Sequence, residues 1–160
     1  MNEDFKTKVI ARDLSPHHSF LASFFAGLGE MGMLNQGSVN VVSRRAAEYL
    51  YSYLQAKDLC IDPADYADKP DLEALKYVMD HINEILSLLG SYELQITQDN
   101  QAMILIEASL CRICPKGVGG AEIKGTLCPI PSFFEKLVNF IMQEDKVSLI
   151  TRGIEKEGTT

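Results

Sequence analysis

Apolar residues recur at helical spacing in four stretches of the chain and alternate at strand spacing in its second half, so the period of the pattern divides the molecule. After a turn at Pro16-His17-His18, the residues Phe20, Leu21, Phe24, Phe25, Leu28, Met31 and Leu34 predict a helix over 19–34. Gly27, Gly29 and Gly32 each weaken a helix interior by about 1 kcal/mol relative to alanine, and permit close packing in return. Gly37 interrupts the chain, and Ser38 is placed to cap a long helix with Val41, Val42, Ala46, Tyr49, Leu50, Tyr53 and Leu54 on one side. Pro70 opens a third helix over 71–89, whose Leu75, Val78, Met79, Ile82, Ile85, Leu86 and Leu89 form one stripe before Gly90. The period then changes. Tyr92, Leu94 and Ile96 alternate with polar residues, and Asp99-Asn100 turns the chain into residues 102–108, which reads as a β-hairpin. Ser132 and Glu135 have the spacing of a capping box for a last helix burying Phe133, Phe134, Leu137, Val138, Phe140 and Ile141. Residues 146–154 predict a final strand.

Helices first, then a hairpin, a helix and a strand, predict an α+β fold in which N-terminal helices pack on an antiparallel sheet. Residues 1–18 are expected as an N-terminal extension, 19–154 as a single domain and 155–160 as a polar tail. At 160 residues, 46% of them hydrophobic and 23% charged, the chain has the size and composition of one globular domain. The formal net charge of −7 leaves no surplus of cations to neutralise phosphates, which argues against nucleic acid as a partner. Apolar runs stay far below the roughly 20 residues of a spanning helix, and the polar, acidic start lacks the features of a secretory signal. A soluble protein of the cytoplasm is expected, with no membrane partner.

In a reducing compartment, four cysteines point to metal, thiol chemistry or burial ahead of disulfides. Cys111-Arg112-Ile113-Cys114-Pro115-Lys116-Gly117 has the form of a metal knuckle: two thiolates two residues apart, with a glycine that lets the backbone fold round them. Cys128 stands before the last helix, where a helix N-terminus favours thiolate. Structural zinc at Cys111, Cys114 and Cys128 is the expectation. A fourth ligand comes from Cys60, or alternatively from His81. Redox use of Cys111 and Cys114 is a rival, disfavoured because the pair leads into a loop rather than a helix. Gly117-Val118-Gly119-Gly120 lacks the Lys-Ser/Thr ending of a phosphate-binding loop, and His17 and His18 read as a surface pair. Phe20, Phe24, Phe25, Met31 and Met33 are candidates to line an apolar pocket. No set of catalytic residues emerges.

The order of elements over residues 20–154, with two glycine-joined helices, a long helix, a hairpin and Cys128 leading into an amphipathic helix, resembles the vinyl-4-reductase, or predicted hydrocarbon-binding, domain family. The resemblance implies an α+β domain that dimerises and encloses an apolar cavity, a fold shared with vesicle-tethering subunits and aromatic-sensing domains. In some of the sensors, zinc is held by cysteines and a glutamate, and Cys128 resembles the ligand before the last helix. The chain departs from the family in having no cysteine after Lys146. The function so implied is a zinc-stabilised domain that binds or senses a small apolar ligand. The alternatives are a structural interaction module forming a homodimer or larger complex, and a thiol redox protein.

Overall fold

The computed structural model describes residues 3–96, 102–107, 109–125 and 127–143. Among them it has an α+β fold of five helices and one antiparallel hairpin: α1 (Glu3–Ala11), α2 (Pro16–Glu30), α3 (Gln36–Ala56), α4 (Asp71–Leu86), β1 (Tyr92–Ile96), β2 (Ala102–Ile106) and α5 (Ile130–Met142). A single 3₁₀ turn, Pro63–Asp65, lies between α3 and α4. No helix among the described residues is long and apolar enough to cross a membrane.

Local chemistry explains where the helices start and stop. Ser15 caps α2 by accepting from the His18 N–H, Pro16 occupies the first turn, and the His18 ring accepts from the Ser15 N–H as the other half of a capping box. Pro16-His17-His18 is therefore helical, not a preceding turn. Asn35 caps α3, and Ser38 answers from the third helical position with its hydroxyl, which places Gly37 inside the first turn. Helix α4 ends at Leu86, three residues before the expected stop, because Ser87 takes a left-handed conformation (φ 50°). Asn83 then grips the Leu89 backbone, accepting from its N–H at 2.8 Å and donating to its carbonyl at 3.1 Å.

The hairpin pairs Tyr92 with Ile106 through to Ile96 with Ala102. The Asp99-Asn100 turn, Ala108, the strand expected over 146–154 and the tail at 155–160 lie outside the described residues. Helix α5 begins at Ile130 behind Pro129, without a side-chain cap. The Ser132 and Glu135 capping box does not form: Ser132 is buried inside the helix, and Glu135 pairs with Arg44 of α3 at 3.0 Å. A proline in the first turn brings no N–H, which lowers the demand for a cap.

The principal packing is α3 against α5. Helix α3 turns Val39, Ser43, Ala47 and Leu54 inward, and α5 answers with Phe134, Leu137, Val138 and Ile141. Tyr51 stacks on Phe140 with centroids 5.3 Å apart. Helix α4 adds Leu75, Val78, Met79 and Ile82 to the same core, and Leu94, Ile104 and Ile106 of the hairpin lie against it. The stripe expected to be buried on α3 is divided by this arrangement: Leu54 is buried and Leu50 half-buried, while Val41, Val42, Tyr49 and Tyr53 point to solvent. Inward Ser43 and Ala47 leave room for α5 to approach, where larger residues would hold the helices apart.

The Ser43 hydroxyl is fully buried and has no hydrogen-bond partner among the described residues. Ser43→Ala is expected to stabilise the protein by about 1 kcal/mol, since it removes an unsatisfied polar group without changing shape. Ala47→Leu is expected to cost about 1–3 kcal/mol by overpacking the same contact. Chemical denaturation with unchanged m-values checks both.

Candidate functional site

The chain between β2 and α5 folds tightly around its two cysteines. The Cys114 carbonyl accepts from the N–H groups of Val118 (2.8 Å) and Gly119 (3.1 Å), and the Gly117 N–H donates to Cys114 Sγ at 3.2 Å. The N–H groups of Ile113 and Cys114 face the Cys111 thiol. Burial pushes that thiol up, and negative charge on Cys114 would push it further; those N–H groups and the Arg12 guanidinium act in the opposite direction. The Gly117-Val118-Gly119-Gly120 segment is thus a folded turn whose Val118 and Gly119 amides are already engaged, unlike those of a phosphate cradle.

Two arginines lock this turn to the N-terminal residues. Arg12 donates to the Cys111 carbonyl at 2.7 Å, while Arg112 donates from Nε to the Arg12 carbonyl at 2.8 Å and from Nη1 to the Ser87 carbonyl at 3.1 Å. A side chain at Gly117 would meet both Arg12 Nη1 (3.1 Å) and Cys114 Sγ (3.3 Å), so cation and thiol flank the same point. Helix α2 is seated on the following loop: a Cβ at Gly119 would collide with the Ala22 carbonyl oxygen, and the Glu122 N–H donates to the Glu30 carboxylate at 3.0 Å. Residues 1–18, expected as an extension, therefore contain a helix and an arginine joined directly to the cysteine turn. Arg12 and Arg112 were not singled out in the sequence, where neither carries a distinguishing pattern apart from Arg112 standing between the cysteines.

His18 is buried, in contrast to the surface pair expected with His17. Its Nδ1 accepts from the Ser15 N–H at 3.0 Å, and the ring also bonds the Leu86 carbonyl. That pattern requires a neutral imidazole protonated on the other nitrogen. Burial lowers its pKa, opposed by the Leu86 carbonyl; Arg112 and His17 lower it further and Asp13 raises it.

The other expected ligands have different surroundings. Cys128 is half-buried, with its backbone held by Gln36, which accepts from the Cys128 N–H and donates to its carbonyl, both at 2.9 Å. Cys60 is half-buried near Tyr51, and burial raises its thiol pKa. The His81 Nε2 lies 2.8 Å from the Leu59 carbonyl oxygen. Among the described residues, no group of three or more His, Cys, Asp and Glu side chains is arranged to hold a metal ion. The described residues therefore supply a two-cysteine turn and do not assemble Cys111, Cys114, Cys128 and Cys60, or His81 in place of Cys60, into a four-ligand zinc site.

The candidate pocket residues face outward. Phe20 is 68% exposed, Phe24 54%, Met31 66% and Met33 65%, with Phe25 half-buried. Phe20 and Phe24 stack at 6.0 Å on the outside of α2, while His18, Ala22 and Ala26 form its buried side. A concavity of about 420 Å³ lies elsewhere, bordered by Tyr66, Lys69, Asp71, Ala74, Met142 and Gln143.

The family model described as the MJ0207 family matches residues 32–158. The chain belongs to the MJ0207 family. The matched span holds α3, α4, the hairpin, α5 and all four cysteines; α1, α2, Arg12 and His18 precede it. The uncharacterized protein MJ1342 of Methanocaldococcus jannaschii is 29% identical over 90 residues, covering 56% of this chain and 68% of its own length. No solved structure matches this MJ0207-family chain.

Because the folded state keeps His18 neutral where a free imidazole, at 6.5, takes up a proton, the unfolded state binds more protons as the pH falls through that value. The stability this group contributes is complete above about pH 6.5 and declines toward the lower folded pKa. Thermal unfolding between about pH 7.5 and 5.5 is expected to show falling stability, and His18→Gln, which does not titrate there, should flatten that slope.

Proposed function

We propose that the chain is a protein-interaction module that assembles with other chains through the outward apolar faces of α2 and α3. One observation carries the reading: large apolar side chains, Phe20 and Phe24 on α2 and Val41, Tyr49 and Tyr53 on α3, point to solvent, while the buried sides hold His18, Ala22 and Ala26 on α2 and Val39, Ser43, Ala47 and Leu54 on α3. Exposed apolar patches beyond a few hundred Å² mark contact surfaces, because covering them releases about 25 cal/mol per Å². A small apolar ligand, the occupant expected from the sequence, would meet these residues on an open surface. Most of its own area would stay wet, whereas a protein partner covers the whole face.

The test is native mass spectrometry of the full chain, tagged and purified from its own cells. A defined complex is expected, lost on Phe20→Ser with Phe24→Ser or on Val41→Ser with Tyr49→Ser, with circular dichroism and melting temperature preserved. Recovery as a monomer, or a complex indifferent to both double substitutions, would refute the reading.

A second reading is favoured by the N–H groups directed at Cys111 and Cys114, the arrangement of half a metal knuckle. We propose that these two cysteines bind zinc, with the remaining positions open to water. Cobalt(II) titration counts the thiolates through the sulfur-to-metal charge-transfer band. Two are expected, abolished by Cys111→Ser with Cys114→Ser; a larger number would bring in Cys128 or Cys60. Absence of the band with rapid labelling of Cys114 would favour thiol redox chemistry instead.

A further inference from the structure

We infer that the partner of the outer face of α3 is a second copy of this chain, packed antiparallel about a two-fold axis at the level of residue 47. The inference rests on the assembly reading above and names its partner. Val41, Arg45, Tyr49 and Tyr53 follow one another every four residues, which aligns them in one seam opposite the face packed on α5. An antiparallel pair about that axis sets Val41 against Tyr53 of the second copy and Arg45 against Tyr49 of the second copy.

The chemistry of this seam is complementary to itself. Within one chain, the Arg45 guanidinium lies 4.6 Å over the Tyr49 ring and forms an ion pair with Glu48. Both attractions are available again across the axis, because each copy presents one cation, one carboxylate and two tyrosine rings at matching levels. Two copies at −7 each repel over most of their surfaces. The α3 sequence carries two arginines and a single carboxylate, so this face escapes that repulsion. Val41 (70% exposed), Val42 (45%), Tyr49 (65%) and Tyr53 (52%) with Arg45 offer an aromatic and apolar seam whose charges lie at the axis. Their exposed area is roughly 600 Å² per copy, at the lower edge of what specific complexes bury. The dimer should therefore dissociate on dilution.

Sedimentation velocity of the purified full chain, from about 1 µM to about 1 mM, is expected to show the mass rising from 17.8 kDa toward twice that value. Arg45→Glu and Glu48→Arg should each weaken self-association by about tenfold or more through like charges at the axis. An equal mixture of the two variants should restore it as a dimer containing one copy of each, seen by native mass spectrometry. These side chains lie outside the core, so both variants should keep the native circular dichroism. A native chain that dimerises while the mixture gains nothing would overturn the α3 seam and leave the assembly reading standing. A purified chain that stays monomeric, although the complex from cells contains a different protein and depends on α3, would likewise assign the face to that other partner. Monomers in both settings would overturn both.

Discussion

Small side chains on the inner faces of α2 and α3 govern how the helices pack and which residues are left outside. Ser43 and Ala47 allow α5 to lie close against α3, and Gly119, having no side chain, lies against the Ala22 carbonyl of α2. Close approach gains dispersion contacts along the whole length of the helices, more than one large residue projecting into the gap would supply. The consequence appears on the opposite faces. Phe20 and Phe24 on α2, and Val41, Tyr49 and Tyr53 on α3, have no place in the core and form an apolar exterior.

The cysteine turn is built on the same principle of close backbone approach, but with polar bonds. Arg12 and Arg112 each donate to a backbone carbonyl belonging to the other's segment, so the N-terminal residues and the turn hold one another reciprocally. The buried His18 fastens the start of α2 to the end of α4 nearby. These ties join α1 and α2, which precede the residues matched by the MJ0207 family model, to a cysteine turn inside that match. Burial raises the Cys111 thiol pKa, while the Ile113 and Cys114 amides and the Arg12 guanidinium lower it.

Elements whose signals are local were legible in the sequence. The apolar stripe of α4 and the alternation of β1 were correctly read because one periodicity dominates each. Helix ends were less legible, since several side chains compete for a few backbone groups. Ser15 and Asn35 cap α2 and α3, with His18 and Ser38 as their counterparts, whereas Ser132 and Glu135, with equally good spacing, are drawn to the core and to Arg44. The cysteine pair was legible as a knuckle. Its arginine partners were not, because Arg12 and Cys111 are ninety-nine residues apart and nothing in their neighbours links them.

The sequence by itself determined the order of α2, α3, α4, the hairpin and α5, though not α1, together with the α+β class and the position of the two-cysteine turn, because each is encoded by neighbours within a few residues. Which side of a helix is inside is a different kind of question. Large apolar residues lie on more than one face of α2 and α3, and periodicity ranks faces by hydrophobicity while packing ranks them by fit. Only the tertiary structure decided that the faces carrying Ala22, Ala26, Ser43 and Ala47 point inward, that Phe20, Phe24, Met31 and Met33 lie on the surface, and that Cys128, Cys60 and His81 have surroundings of their own. Those outcomes depend on distances between segments far apart in the chain, which no local pattern records.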